Sequence, residues 1–226
     1  MKLKNMIIVS VLLVQSSYLL QADYNTDITQ ENDMNADLQE INNDATISYE
    51  ASKALWNALQ ENDTAAAQQA INDGANIDIS NEDGFTALMF AAGQKNLAIV
   101  QKLLEKGADT TARDKYNKTV LLQMSERGIE DINKALLQKD ANGKPACNPN
   151  EADQFGKTPL MHAAQRSYTP LVIMLIEAGA DTLAIDSIGR SALFYAREAR
   201  NAGIVDLLSK NEELRHRDSS ENQLEA

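Results

Sequence analysis

Cysteine, histidine, proline and aromatic side chains are all scarce in this chain, and each shortage closes off a class of protein. One cysteine, Cys147, cannot form an internal disulfide, so stability has to come from packing. Nor can it serve a lipoprotein, which needs its cysteine at the cut that follows a leader. The two histidines, His162 and His216, lie 54 residues apart and are joined by no second ligand at metal spacing. No glycine-rich phosphate loop occurs, and no histidine accompanies Cys147 in a nucleophile motif. The expectation is a protein with no catalytic site, no cofactor and no metal. Long apolar runs are missing too: Met6 to Val14 is broken by Ser10 and is shorter than the ~20 residues a membrane span needs.

That short run has a different use. Lys2 and Lys4 precede it and small residues follow it up to Ala22, so residues 1–22 read as an export signal cut after Ala22. An uncleaved anchor is disfavoured because Gln15, Ser16 and Ser17 interrupt the run. The mature protein is then periplasmic or secreted. The full chain carries a formal charge of −12, and losing two of its 21 basic side chains leaves 19 against 33 acidic ones, or −14. Such a balance repels nucleic acid and anionic lipid, and after cleavage no membrane contact is expected. Residues 23–47 carry seven acids and few large apolar side chains, which gives too little burial to offset ordering. They read as a mobile acidic leader, with folding over a partner as the functional alternative.

The rest is organised around Asp83 to Asp114. Leu88, Ala91 and Ala92 fit one short amphipathic helix, and Ile99, Val100, Leu103 and Leu104 a second, because both sets recur every three to four residues. Asn96 lies where the chain must reverse, and Gly107 where the second helix needs a left-handed cap. The unit recurs. Thr86, Thr119, Thr158 and Ser191 each stand two residues before a leucine, at separations of 33, 39 and 33. Gly74-Ala75, Gly107-Ala108 and Gly179-Ala180 keep the same beat, with Asp140-Ala141 as the stand-in for the remaining copy.

A period near 33 with Asp83-Gly84-Phe85-Thr86-Ala87-Leu88, Gly156-Lys157-Thr158-Pro159-Leu160 and the Gly-Ala-Asn/Asp triplets resembles the ankyrin-repeat family. The resemblance implies an all-α repeat solenoid of about five ankyrin repeats, each a helix-turn-helix plus a β-turn finger. Its boundaries fall near 48–81, 82–114, 115–153, 154–186 and 187–212, with a polar tail over 213–226. The first and fifth copies are caps, and Trp56 reads as a packing residue of the first. The family's turn histidine is absent: Met89, Leu122, Met161 and Phe194 take its place, and His162 comes one residue late, which predicts a weaker capping network. The longer third copy has six inserted residues, placed within Asn142 to Glu151, where two prolines and an Asn-Gly pair stop a helix. They are expected to lengthen the finger and leave Cys147 accessible, with an occasional disulfide dimer.

Ankyrin arrays mostly bind proteins through turn tips and the first helix of each repeat. In that register this acidic chain places a basic and aromatic stripe: Tyr116, Lys118, Arg127, Phe155, Lys157, Arg166 and Arg190. The stripe is expected to meet a protein partner with an acidic contact surface, Lys and Arg steering the encounter and the aromatics carrying affinity. Two classes of function are consistent with it. One is an exported binding module that protects, adapts or neutralises a partner, the immunity protein of a toxin included. The other is a structural or assembly component of an envelope complex.

Overall fold

The computed structural model describes residues 46–139 and 141–211. The chain divides into two units, 1–47 and 48–226, and the repeats belong to the second. The export signal, almost all of the acidic leader and the tail 213–226 lie outside the described residues.

Ten helices occur among the described residues, in five pairs. They are α1 (46–61) and α2 (Thr64–Asn72); α3 (Ala87–Gly93) and α4 (Leu97–Glu105); α5 (Val120–Arg127) and α6 (Glu130–Leu137). The last two pairs are α7 (Pro159–Gln165) with α8 (Thr169–Glu177), and α9 (Ala192–Glu198) with α10 (202–211). First helices stack on first helices, α3 on α5 on α7 on α9, and second on second, α2 on α4 on α6 on α8. This is a helical repeat solenoid.

The threonine positions explain where the first helices begin. Thr86, Thr119, Thr158 and Ser191 are extended N-caps whose hydroxyls accept the backbone N–H of Met89, Leu122, Met161 and Phe194. Pro159 then occupies the first helical turn, where its missing N–H has no partner to lose. Two residues past each cap, Leu88, Leu121, Leu160 and Leu193 are buried between repeats. Ile99, Val100 and Leu103, their counterparts Ile132 and Leu136, and Leu171, Val172 and Leu175 fill the space between the two rows. Each pair turns on a left-handed residue, Asn62, Lys95, Gly128, Ser167 and Arg200 in order; where Gly128 stands, a Cβ would come within 2.5 Å of the Tyr168 ring. Trp56 is half-buried and its ring lies 5.4 Å from that of Phe90.

The third copy departs from the expected layout. Lys139 and Pro145 form an antiparallel bridge that closes a small hairpin directly after α6, and Lys139 Nζ fastens it by donating to Glu177 O at 2.7 Å. Cys147 N–H then donates to Leu136 O at 3.0 Å, as Ala108 N–H does to Leu103 O and Ala180 N–H to Leu175 O. Asn148 Oδ1 accepts the Asn150 N–H as Asp109 Oδ1 accepts that of Thr111. Asn150 Oδ1 in turn accepts the Asp181 N–H as Asp78 Oδ1 accepts that of Asp109. The third triplet is therefore Ala146-Cys147-Asn148, not Asp140-Ala141. The extra residues precede it, so the expected insert at 142–151 and the lengthened finger are both corrected. A spacing of 39 shows that six residues are extra without showing on which side of the triplet they lie.

Cys147 thereby takes the slot held elsewhere by Ala75, Ala108 and Ala180, and is 1% exposed. The accessible thiol expected from sequence, and the disulfide dimer built on it, are overturned. Burial pushes the thiol up to about 12, with a smaller opposing hydrogen bond to Thr110.

Candidate protein-binding surface

The fingers between repeats are positioned by one side chain each. Asp114 Oδ1 accepts the N–H groups of Tyr116 and Lys118, Asp153 Oδ1 those of Phe155 and Lys157, and Asp186 Oδ1 those of Ile188 and Arg190. Asn81 does the same for Asp83 and Phe85. Short acceptor side chains favour such turns because they copy a backbone turn. Each aspartate has a second oxygen to satisfy, and a residue nine positions on, in the first helix, supplies the donor. Gln123 Nε2 donates to Asp114 Oδ2 at 2.9 Å, His162 Nε2 to Asp153 Oδ2 at 3.0 Å, and the Tyr195 hydroxyl to Asp186 Oδ2 at 2.5 Å. All six side chains are buried. The threonine caps and these bonds together replace the network that the absent turn histidine was expected to weaken.

The environment sets the charge of these groups. Burial pushes Asp186 up, but bonds from Tyr195, from the Arg190 and Ile188 N–H groups and from the Arg190 guanidinium outweigh it and hold the carboxyl far below its usual range. Tyr195 is pushed up to about 12 by burial and by that carboxylate. Burial pulls His162 below its ordinary value, against the opposing pull of Asp153 and Glu126.

The seven stripe residues fall into two groups. Four of them are engaged within the stack. Lys118 pairs with Glu126; Arg127 Nη2 donates to Gly93 O, at the end of the preceding first helix, at 3.1 Å. Lys157 Nζ donates to Gln165 Oε1 at 3.1 Å and lies 4.4 Å from the Tyr195 ring centre. Arg190 Nε donates to Asp186 Oδ2 at 3.0 Å and its guanidinium sits 4.9 Å from the same ring, so Lys157 and Arg190 converge on Tyr195. Burial pushes Glu126 up, but Lys118, His162 and Arg166 outweigh it and keep this carboxyl low.

Arg166 is exposed, and Tyr116 and Phe155 are exposed at the finger tips, at 53% and 58%. The equivalent tip of the last finger is Ile188, at 68%, so three successive tips present apolar side chains. Successive fingers bond through their backbones, Lys115 N–H to Asp83 O at 2.8 Å and Ser187 N–H to Phe155 O at 2.9 Å. Between the second and third, those of Asp114 and Asp153, Arg113 takes this role, donating to Ala152 O and Asn117 O and pairing with Glu151. Ile188 was legible in the same column as Tyr116 and Phe155, but it carries neither the charge nor the ring that marks the rest of the stripe. No group of three potential metal ligands, and no helix long and apolar enough to cross a membrane, occurs among the described residues.

Comparison with known proteins agrees with this geometry. The family model for ankyrin repeats in three copies matches residues 16–114, 55–144 and 121–218. A mitochondrial disaggregase of Bos taurus is 30% identical over 159 residues, 70% of this chain and 23% of the relative. The ankyrin repeat, SAM and basic leucine zipper domain-containing protein 1 of Ornithorhynchus anatinus is 30% identical over 139 residues, 59% of this chain and 28% of the relative. The neurogenic locus notch homolog protein 1 of Xenopus laevis is 30% identical over 159 residues, 69% of this chain and 6% of the relative. The chain thus spans 28% or less of the length of each.

Proposed function

The chain belongs to the ankyrin-repeat family, and from that premise we propose that it is an exported protein-binding module that holds one partner against its finger tips and first helices. One observation carries the reading: Tyr116, Phe155 and Ile188 stand exposed at equivalent tips of three consecutive fingers. Apolar and aromatic side chains held on a rigid frame supply contact area at little cost in entropy, and exposed runs of them mark interaction sites. Arg127 and Arg166, exposed at the ends of two first helices, add positive charge, which suits a partner that carries carboxylates. Export rests on the charged start and short apolar run of residues 1–22 and makes the periplasm or the exterior the place of action. There the module acts as a protective, adaptor or toxin-neutralising partner.

Capture from an extract of the native host, followed by identification by mass, tests the binding claim. Wild-type chain should retain a partner that Tyr116→Ser with Phe155→Ser loses while circular dichroism and melting stay unchanged. Retention by the double variant would move the site to another face. Intact mass of the native protein tests export: a species lacking residues 1–22 is expected, and a full-length cytosolic one would remove the localisation.

A further inference from the structure

Among the described residues, the outer edge of the fifth repeat differs from the edges at which successive repeats meet. Within the stack, Met89, Leu122 and Met161 are at most 2% exposed, whereas the equivalent Phe194 is 42% exposed. Ala92, Ser125 and Ala164 are fully buried, and Arg197 stands in their place, exposed. A Cβ at Gly84 would lie 2.8 Å from Arg113 O of the next finger and one at Gly156 2.9 Å from Ser187 N; one at Gly189 would meet nothing within 4 Å. Asp83 O and Phe155 O each accept an N–H from the finger beyond; Tyr116 O accepts none, Arg113 joining the fingers there instead, and Ile188 O has neither such a donor nor such an arginine among the described residues. Thr110 Oγ1 donates to Ala146 O of the next repeat at 3.0 Å, while the equivalent Thr182 Oγ1, buried at 1% exposure, has no partner among the described residues. Leu183, Ile185 and Ile188 line this edge at 42%, 64% and 68% exposure.

A repeat that merely closes a solenoid turns a polar face outward. This one offers a backbone acceptor and a row of aliphatic and aromatic side chains, with the Arg197 guanidinium on its border. We propose that the open end of the fifth repeat docks an extended segment of another protein that carries aliphatic side chains between carboxylates. Backbone N–H of the segment bonds Ile188 O, in the manner of a strand added to an open edge. Its aliphatic side chains cover Ile185, Ile188 and Phe194. A further repeat of this chain's own kind does not fit, because Arg197 fills the position where only alanine or serine is buried. The sign of the charge comes from complementarity: the exposed Arg197 borders an apolar face on a protein of formal charge −12, and guanidinium pairs carboxylate through two parallel bonds. This face shares Ile188 with the binding surface proposed above, and Tyr116, which belongs only to that surface, tells the two apart.

The probe is a dye-labelled, amidated peptide Glu-Leu-Glu-Val-Glu-Leu-Glu, titrated against the full chain by fluorescence anisotropy. Counterparts with Lys for Glu, and with Ser for Leu and Val, should each bind at least about tenfold more weakly. Arg197→Ala and Phe194→Ser should each weaken the acidic peptide by about tenfold without lowering the melting temperature. Tyr116→Ser should leave its binding unchanged, which separates this proposal from the finger-tip reading. Equal binding of the acidic and basic peptides, or full binding by Arg197→Ala, overturns the proposal. So does tightening by about tenfold when residues 212–226 are deleted, which assigns the face to the chain's own end. Self-association abolished by Phe194→Ser assigns it to a second copy and overturns the proposal as well.

Discussion

Cys147 gives the sharpest test of the third repeat, because sequence and structure make opposite statements about it. In the fold its thiol is 1% exposed and pushed up to about 12 by burial. An ordinary thiol titrates near 8.5, so at pH 8 the thiolate fraction falls by a factor on the order of 10³ before access is considered. Labelling by iodoacetamide, followed by intact mass, should therefore run at the rate of opening and accelerate through the urea unfolding transition. A native-state rate within about tenfold of that in denaturant would refute the triplet assignment. Linkage adds a second readout. The folded value lies above the unfolded one, so the unfolded state loses its proton first and stability declines as pH rises. The loss should approach roughly 1.4 kcal/mol per pH unit between about 8.5 and about 12. Cys147→Ala, which restores the alanine found at positions 75, 108 and 180, should cost about 1 kcal/mol at neutral pH and remove that part of the slope. Identical alkaline slopes in variant and wild type would refute the burial argument.

Leu103→Ala deletes a fully buried side chain between the two helix rows and should cost about 2–5 kcal/mol by urea titration. His162 has its folded value depressed by burial, so the unfolded state binds more protons as pH falls below 6.5, and stability should decline through that window. His162→Gln copies the Gln123 bond to Asp114, and melting curves against pH should show the acid-side slope reduced. Gly156→Ala meets both a φ of 76° and Ser187 N at 2.9 Å, whereas Gly189→Ala meets a φ of 80° alone. The first should therefore be the more destabilising by about 1 kcal/mol or more, and equal losses would show that the close approach of the fingers is unimportant.

Most of the fold was legible because its signals are local and repeated. Thr86, Thr119, Thr158 and Ser191 fix the helix starts through their own hydroxyls, and the leucine two residues on must be buried wherever the repeats stack. The place of the six extra residues was not legible from a spacing. It was legible in composition, since Ala146-Cys147-Asn148 is a small-small-amide triplet 33 residues before Gly179-Ala180-Asp181. What the stripe's side chains bond to was not legible in the sequence. A column of Lys and Arg looks outward-facing in sequence, whereas Glu126, Gln165 and Asp186, eight or four residues away along the chain, turn three of those cations inward.

The choice between asparagine and aspartate at the fingers ties these levels together. Asn81, Asp114, Asp153 and Asp186 all hold a turn through Oδ1, so that task does not distinguish amide from acid. What differs is the residue nine positions on. Where it is Phe90, which has no donor, the turn residue is an amide; where it is Gln123, His162 or Tyr195, the turn residue is an acid with its second oxygen bonded. A buried carboxylate is costly unless its oxygens are satisfied, so each acid requires its donor and each donor requires its acid. Several of the chain's acids are thus fastened inside the stack, and cations beside them, such as Arg190 on Asp186, are drawn in with them. The exposed tips are left to Tyr116, Phe155 and Ile188. Affinity at this surface should then come chiefly from apolar contact, with charge setting how fast and in which register a partner arrives.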